Sequence, residues 1–353
     1  MSAVISGSGA SVPERVVTNH DLAQIMDTTD EWIVKRSGVR ERRFAPVGVG
    51  SSDLAAAAVG AAIADAGLLS ADIDAVVCAT MTPDQFAPGI APQVQQKAGL
   101  GAVAAYDLRQ QCSGFLYGLD LAASLIESGR NEHVVVVGAE VHRGYLPFAE
   151  GWDILAGDTS VVLSDETRAA IDESRGWAVL FGDGAAAMVV SRHDDPEVGF
   201  GPRRLHTDGT WVHLIEVEGV GFRNQPWVDE AQLQARLHWP SMSGAELFRQ
   251  ASVLMPEAVA EVVAEAKLTV GDLDLVIAHQ ANARIVEAAR KRLGLAEPVV
   301  PVNIDRWGNT TAATLPLLWH DLALAGRIPA EATVAFTAFG SGVHWGALLY
   351  RHP

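Results

Sequence analysis

Cysteine is nearly absent from this chain: Cys78 and Cys112 are the only two in 353 residues. Two thiols are too few for a disulfide framework or a cysteine-rich metal site, so neither is expected. Long apolar runs are missing as well. No stretch of about 18 uninterrupted apolar residues occurs, which argues against a membrane-spanning helix. The opening residues, MSAVISGSGASVP, have no basic segment followed by an apolar core, so they do not read as a secretory signal. Basic residues are in deficit: 26 Lys and Arg stand against 43 Asp and Glu, a net charge of −17. That balance opposes non-specific binding to nucleic acid or to an anionic membrane, and it repels an acidic partner unless basic residues cluster locally. The expected setting is a reducing cytoplasm.

What is present is the alternation of an α/β enzyme. DAVVCAT (74–80), HVVVVGAE (133–140), LDLVIAH (273–279) and ATVAFTAF (332–339) are near-continuous apolar runs, which read as buried strands. Between them, residues 51–68, 114–129 and 243–268 have helical periodicity. The pattern occurs twice, which predicts two α/β halves, 1–195 and 196–353, packed in layers. Residues 143–176 mix aromatics with a long polar stretch and read as a long connection.

Three segments carry candidate chemistry. DLRQQCSGFLYGL (107–119) sets Cys112 where a loop ends and a helix begins. Unpaired N–H groups and the helix dipole favour an anion there, which predicts a bias toward the nucleophilic thiolate. VIAHQANARI (276–285) puts His279 at the end of a strand, where ligands meet the sheet in α/β proteins. NIDRWGNTTAATL (303–315) places Asn309 ahead of another helix, although Gly-Asn is also an ordinary turn pair. AFGSGVHWGALL (338–349) then reads as a tight glycine turn, able to offer backbone N–H groups to an oxyanion. Cys, His, Asn and a glycine turn, each at an element terminus, suit acyl transfer through a thioester.

These motifs, with TTDEWIVKRSGVRERRFA (28–45) and VLFGDGAAAMVV (179–190), resemble the β-ketoacyl-ACP synthase III family of condensing enzymes, in the thiolase superfamily. The resemblance implies a thiolase-like fold and a homodimer, with acyl-CoA as a substrate and no resident cofactor or metal. It implies that Cys112 takes the acyl group, and that His279 and Asn309 hold the thioester oxygen of malonyl-acyl carrier protein as CO₂ leaves. The backbone N–H groups of Cys112 and Ser341 would form a second oxyanion hole. Trp32, Arg36 and Arg175 match positions that hold CoA. Asp183 and Gly184 read as serving backbone geometry.

Phe86 and Ala87 fall where the family caps the partner subunit's acyl pocket. An alanine in place of a bulky cap leaves room for a medium-chain primer, and Tyr145, Leu146, Phe148 and Trp152 are candidates for extending that wall. Arg284, Arg290, Lys291 and Arg292, on the helix after His279, are the expected docking site for the acidic carrier. The main alternative is an acyltransferase that moves the acyl group from Cys112 to an alcohol or amine without decarboxylation. A papain-like protease shares the order Cys, His, Asn, but the chain has no CGSCW segment. A non-catalytic partner subunit would lack the nucleophile.

Overall fold

The computed structural model describes residues 2–158 and 160–353. Two sheets organise them. The first contains β1 (Ser2–Ser11), β2 (Ala75–Ala79), β3 (Ala104–Leu108), β4 (His133–Glu140) and β5 (Gly184–His193), in the order β1-β5-β4-β2-β3. The second contains β6 (Gly199–Thr207), β7 (Leu275–Ala278), β8 (Thr333–Gly340) and β9 (His344–Arg351), in the order β6-β9-β8-β7. The orders match strand for strand over four positions. So do the directions, since β2/β4 and β7/β8 are parallel while the remaining pairs of these four are antiparallel. The doubled architecture expected from the sequence is thus built into the hydrogen bonding.

Alternation along each strand explains why those runs are apolar throughout. On β4, Val134 and Val136 enter a central core, while Val135 and Val137 face the helix α1 (Ser51–Asp65). The central core is filled by α2 (Gly114–Glu127) and by α6 (Thr314–Leu324), through Phe115, Leu119, Leu315 and Trp319. Val334 and Phe336 of β8 close it from the second sheet, whose far side is covered by α4 (Gly244–Glu265). Each such side chain, fully buried, contributes about 1.5–3 kcal/mol. The result is five layers, with two helices between two sheets and one outside each. Among the described residues no helix is long and apolar enough to cross a membrane.

Residues 143–176 hold more order than a connection. They contain a short helix, Gly151–Ala156, and most of α3 (Asp165–Ala178). Leu146, Phe148 and Trp152 pack with Leu22, Ile25 and Phe44 in a core of their own chain. They do not line the cavity around Cys112, so these three extend no acyl wall there, contrary to the expectation from the sequence.

The halves meet where Gly138 of β4 faces the turn at Ala312, and a Cβ on Gly138 would collide with the Ala312 carbonyl oxygen. Gly138→Ala is therefore expected to destabilise the protein by about 1–3 kcal/mol, the usual cost of overpacking. A thermal melt reads the loss; a melting temperature equal to that of the parent would show that this junction has slack.

Candidate active site

Cys112 sits in a single 3₁₀ turn, Gln111–Ser113, that runs into α2. Gln111 holds φ +51°, a left-handed conformation that non-glycine residues adopt rarely. Ser113 fixes the turn: its hydroxyl donates to the His344 carbonyl at 3.0 Å. The glycine turn after β8 presses on the same place, since a Cβ on Gly340 would sit 2.8 Å from the Ser113 amide nitrogen. Ser341 donates its hydroxyl to the Ile215 carbonyl at 2.6 Å, which leaves its backbone N–H as the group available to an oxyanion.

The thiol does not ionise as its helix position predicts. Cys112 is half-buried, and burial together with the Glu140 charge pushes it up to about 12, opposed only in part by its own backbone N–H. A helix N-terminus is worth about 0.3–2 kcal/mol, too little to reverse that direction. In the resting site the sulfur is a thiol.

His279 follows β7, its amide donating to the Thr337 carbonyl at 2.9 Å. The ring is buried, and burial lowers it to about 3, so it is neutral at physiological pH. Its tautomer follows from its neighbours. The Thr314 hydroxyl donates to the Thr311 carbonyl at 3.0 Å, so its oxygen accepts from Nδ1–H of His279 at 2.6 Å. Nε2 is left as a bare acceptor with no protein partner.

Asn309 is clamped by a bridge to Phe181, its N–H on the Leu180 carbonyl at 2.7 Å. Its side-chain oxygen accepts the Thr311 N–H at 2.9 Å, which assigns the amide and leaves the NH₂ free to donate. Cys112, His279 and Asn309 all line one cavity of about 790 Å³, as do Gly340 and Ser341. Tyr145 lines it too, the one member of the suggested acyl wall to do so.

At the mouth, the Arg36 guanidinium lies 4.1 Å and that of Arg175 4.9 Å from the Trp32 ring centroid. Arg175, on α3, is held by Asp27 at 3.6 Å. An aromatic face with two guanidinium groups on it suits a nucleotide, by stacking and by phosphate binding. Asp183 accepts from the Ala45 and His142 amides at 2.8 Å each, and adjoining Gly184 opens β5; both shape backbone beneath the site.

The basic helix α5 (Ala283–Leu293) divides into two parts. Arg284 lines the cavity and shares a smaller recess with Lys35 and Arg36. Arg290 and Lys291 both bind Glu287, at 2.7 and 3.1 Å, and Arg292 binds Glu257 at 3.0 Å, so much of their charge is already answered. Phe86 and Ala87 lie outside the cavity. Phe86 is 54% exposed and packs on Phe222 at 4.8 Å; Ala87, beside it, is also exposed.

Residues 106–209 match the family model described as 3-oxoacyl-[acyl-carrier-protein (ACP)] synthase III, and residues 263–352 match its C-terminal model. Residues 40–143 also match the N-terminal domain of thiolase. The β-ketoacyl-[acyl-carrier-protein] synthase III of Symbiobacterium thermophilum is 39% identical over 347 residues, 98% of this chain and 97% of that protein. The synthase of the same name from Rhizorhabdus wittichii is 37% identical over 350 residues, 99% of each chain. The crystal structure of 3-oxoacyl-[acyl-carrier-protein] synthase III from Aquifex aeolicus superposes with a TM-score of 0.84 at 33% identity, covering 99% of this chain and 100% of that one. With Cys112, His279 and Asn309 on one cavity and with these relatives along its whole length, the chain belongs to the 3-oxoacyl-[acyl-carrier-protein] synthase III family.

Proposed function

We propose that the protein condenses an acyl group, received from acyl-CoA, with a malonyl group carried by acyl carrier protein, releasing CO₂. The observation that carries this is the complementary state of the groups on one cavity: a thiol, a bare imidazole nitrogen and a free amide NH₂. With the thiol high and the imidazole low, a resting thiolate–imidazolium pair is disfavoured. Nε2 of His279 therefore takes the thiol proton as the sulfur attacks the acyl-CoA carbonyl. The acyl–sulfur bond to Cys112 forms, the bond to CoA breaks, and CoA leaves as a thiol with the proton that His279 held; Nε2 takes a new proton from solvent when the malonyl carboxylate arrives.

The malonyl carboxylate then enters the same cavity. An anion about 4 Å away favours the imidazolium by about 4 kcal/mol at an effective dielectric of 20, or about three pK units. That compensates much of the burial effect. Nε2–H and the Asn309 NH₂ donate to the thioester oxygen as the carbon–carbon bond to CO₂ breaks and negative charge gathers there. The carbanion attacks the acyl carbonyl, and the Cys112 thiolate released recovers the proton from His279. Backbone N–H groups of Cys112 and Ser341 would hold that carbonyl oxygen.

CoA would lie against Trp32, Arg36 and Arg175, with Arg284 extending the basic mouth toward the carrier protein. The open edge of β3 and the exposed Phe86 support a homodimer, in which Phe86 and Ala87 face the partner's acyl pocket. Both cysteines are free, which suits a reducing cytoplasm.

Intact mass after incubation with acyl-CoAs of increasing length, followed by CO₂ release from malonyl-carrier protein, tests the reading. The expected result is one acyl group lost in a Cys112→Ala variant, with octanoyl loading faster than acetyl, and CO₂ released by the acylated enzyme. Acylation without CO₂ release overturns condensation in favour of transfer to an acceptor.

A further inference from the structure

Glu140 is a carboxylate that the condensation chemistry leaves unused, although it stands at the centre of the site's framework. It ends β4, is fully buried, and gathers donors from both halves. One oxygen accepts the Thr82 hydroxyl at 2.6 Å, the Thr82 amide at 3.1 Å and the Thr80 hydroxyl at 3.2 Å. The Met81 amide approaches the other at 3.1 Å. That second oxygen also faces the Ala312 amide of the C-terminal half at 3.4 Å. Met81 lines the cavity. Ala312 follows the residue whose N–H orients the Asn309 side chain.

We propose that Glu140 is a positioning residue for the condensing site, tying the Asn309 turn to the loop at Met81 and setting its negative charge against the Cys112 nucleophile. This rests on the condensation reading above.

Four backbone or hydroxyl donors within 3.2 Å hold the buried carboxyl in place and favour its charged form against burial, since charge-assisted bonds are about twice as strong as neutral ones. Burial outweighs the nearby His142 and the bonds with Thr82 and Met81, so Glu140 is raised above the usual carboxylate range, and those partners limit the rise. His142 in turn donates its Nδ1–H to the Asp183 carboxylate at 3.0 Å, which places Asp183 behind His142, while Cys112 and His142 are the titratable groups that sense Glu140 directly. The charge disfavours a free thiolate at Cys112. Nucleophilicity is thereby reserved for the moment when His279 and an acyl-CoA are both in place.

Two variants separate charge from reach. Glu140→Gln removes the charge at constant length, and Glu140→Asp keeps the charge but withdraws it by one methylene. The rate of Cys112 alkylation by iodoacetamide is measured at one mildly alkaline pH on folded protein, with the fold checked by thermal melt. Removing a nearby like charge should raise the Gln variant's alkylation rate about tenfold or more, because the thiolate fraction sets that rate below the thiol's midpoint. The Asp variant should keep the parent alkylation rate but release CO₂ from malonyl-carrier protein about tenfold more slowly or worse, as expected for a misplaced donor. A folded Gln variant with the parent's alkylation rate overturns the proposal, as does an Asp variant with undiminished CO₂ release. If the Gln variant does not fold, the Asp variant alone decides. Should the parent release no CO₂ at all, condensation fails, while the alkylation rate still reads the Glu140 charge.

Discussion

Asn309→Asp is expected to lower CO₂ release from malonyl-carrier protein by about 10³-fold or more, while Cys112 is still acylated by acyl-CoA at near the parent rate. The substitution keeps the oxygen that accepts the Thr311 N–H, so the turn is retained. It replaces the NH₂ on the other side with a second oxygen. Losing one donor to a developing oxyanion costs about 10²–10³-fold, and a carboxylate facing an enolate adds repulsion to that loss. Single-turnover acylation by mass and CO₂ release measured on one preparation decide the matter. Equal loss in both steps would mean that Asn309 serves the whole cavity and not the decarboxylation.

His279→Ala should fail differently, slowing both steps. The family resemblance implies a role for His279 at the malonyl oxygen alone, but the tautomer fixed by Thr314 makes Nε2 an acceptor first. Removing it takes away the base for the thiol as well as the later donor. Acylation should fall by about 10²–10⁴-fold, the usual range for a positioned general base. The parent enzyme should also show no acid limb in its acylation rate between pH 5 and 7. A histidine lowered to about 3 gains its proton only when pH falls toward that value, so it remains an acceptor throughout the range. An acid limb centred near 6.5 would place an ordinary, solvated imidazole in the site. A His279→Ala variant acylated at the parent rate would return the residue to decarboxylation alone.

The parts legible in the sequence were those whose signal is local. Continuous apolar runs gave the strands because β4 and β8 are covered on both faces, and the three long helices carried wide apolar stripes. α3 escaped because it buries only Ile171, Ser174 and Ala178, too thin a stripe to register as a period. Its cap was readable, however: Ser164 accepts the Thr167 N–H, and Asp165 and Glu166 follow in the first turn. The pairing of Arg290 and Lys291 with Glu287, at spacings of three and four, was also open to inspection. Thr314 and Glu140 were not. Thr314 opens a helix as many threonines do, and Glu140 closes an apolar strand. What each does depends on residues 35 to 172 positions away. The state of the thiol is hidden for a similar reason, since a helix terminus is visible in one segment and a buried carboxylate from another strand is not.

The two halves share one backbone device, and only one copy of it is open to solvent. Gln111–Ser113 leads into α2, and Thr311–Ala313 leads into α6; each 3₁₀ turn starts from a positive φ, +51° and +46°. Counting along both turns sets Ala312 in the seat that Cys112 occupies. Cys112 is half-buried and faces the cavity, whereas Ala312 is fully enclosed, its carbonyl against Gly138. A cysteine grafted at Ala312 would therefore meet no substrate, although its backbone would be equally well prepared. In a duplicated scaffold of this kind, accessibility breaks the symmetry: one half opens this turn to the cavity and the other seals it inside the junction.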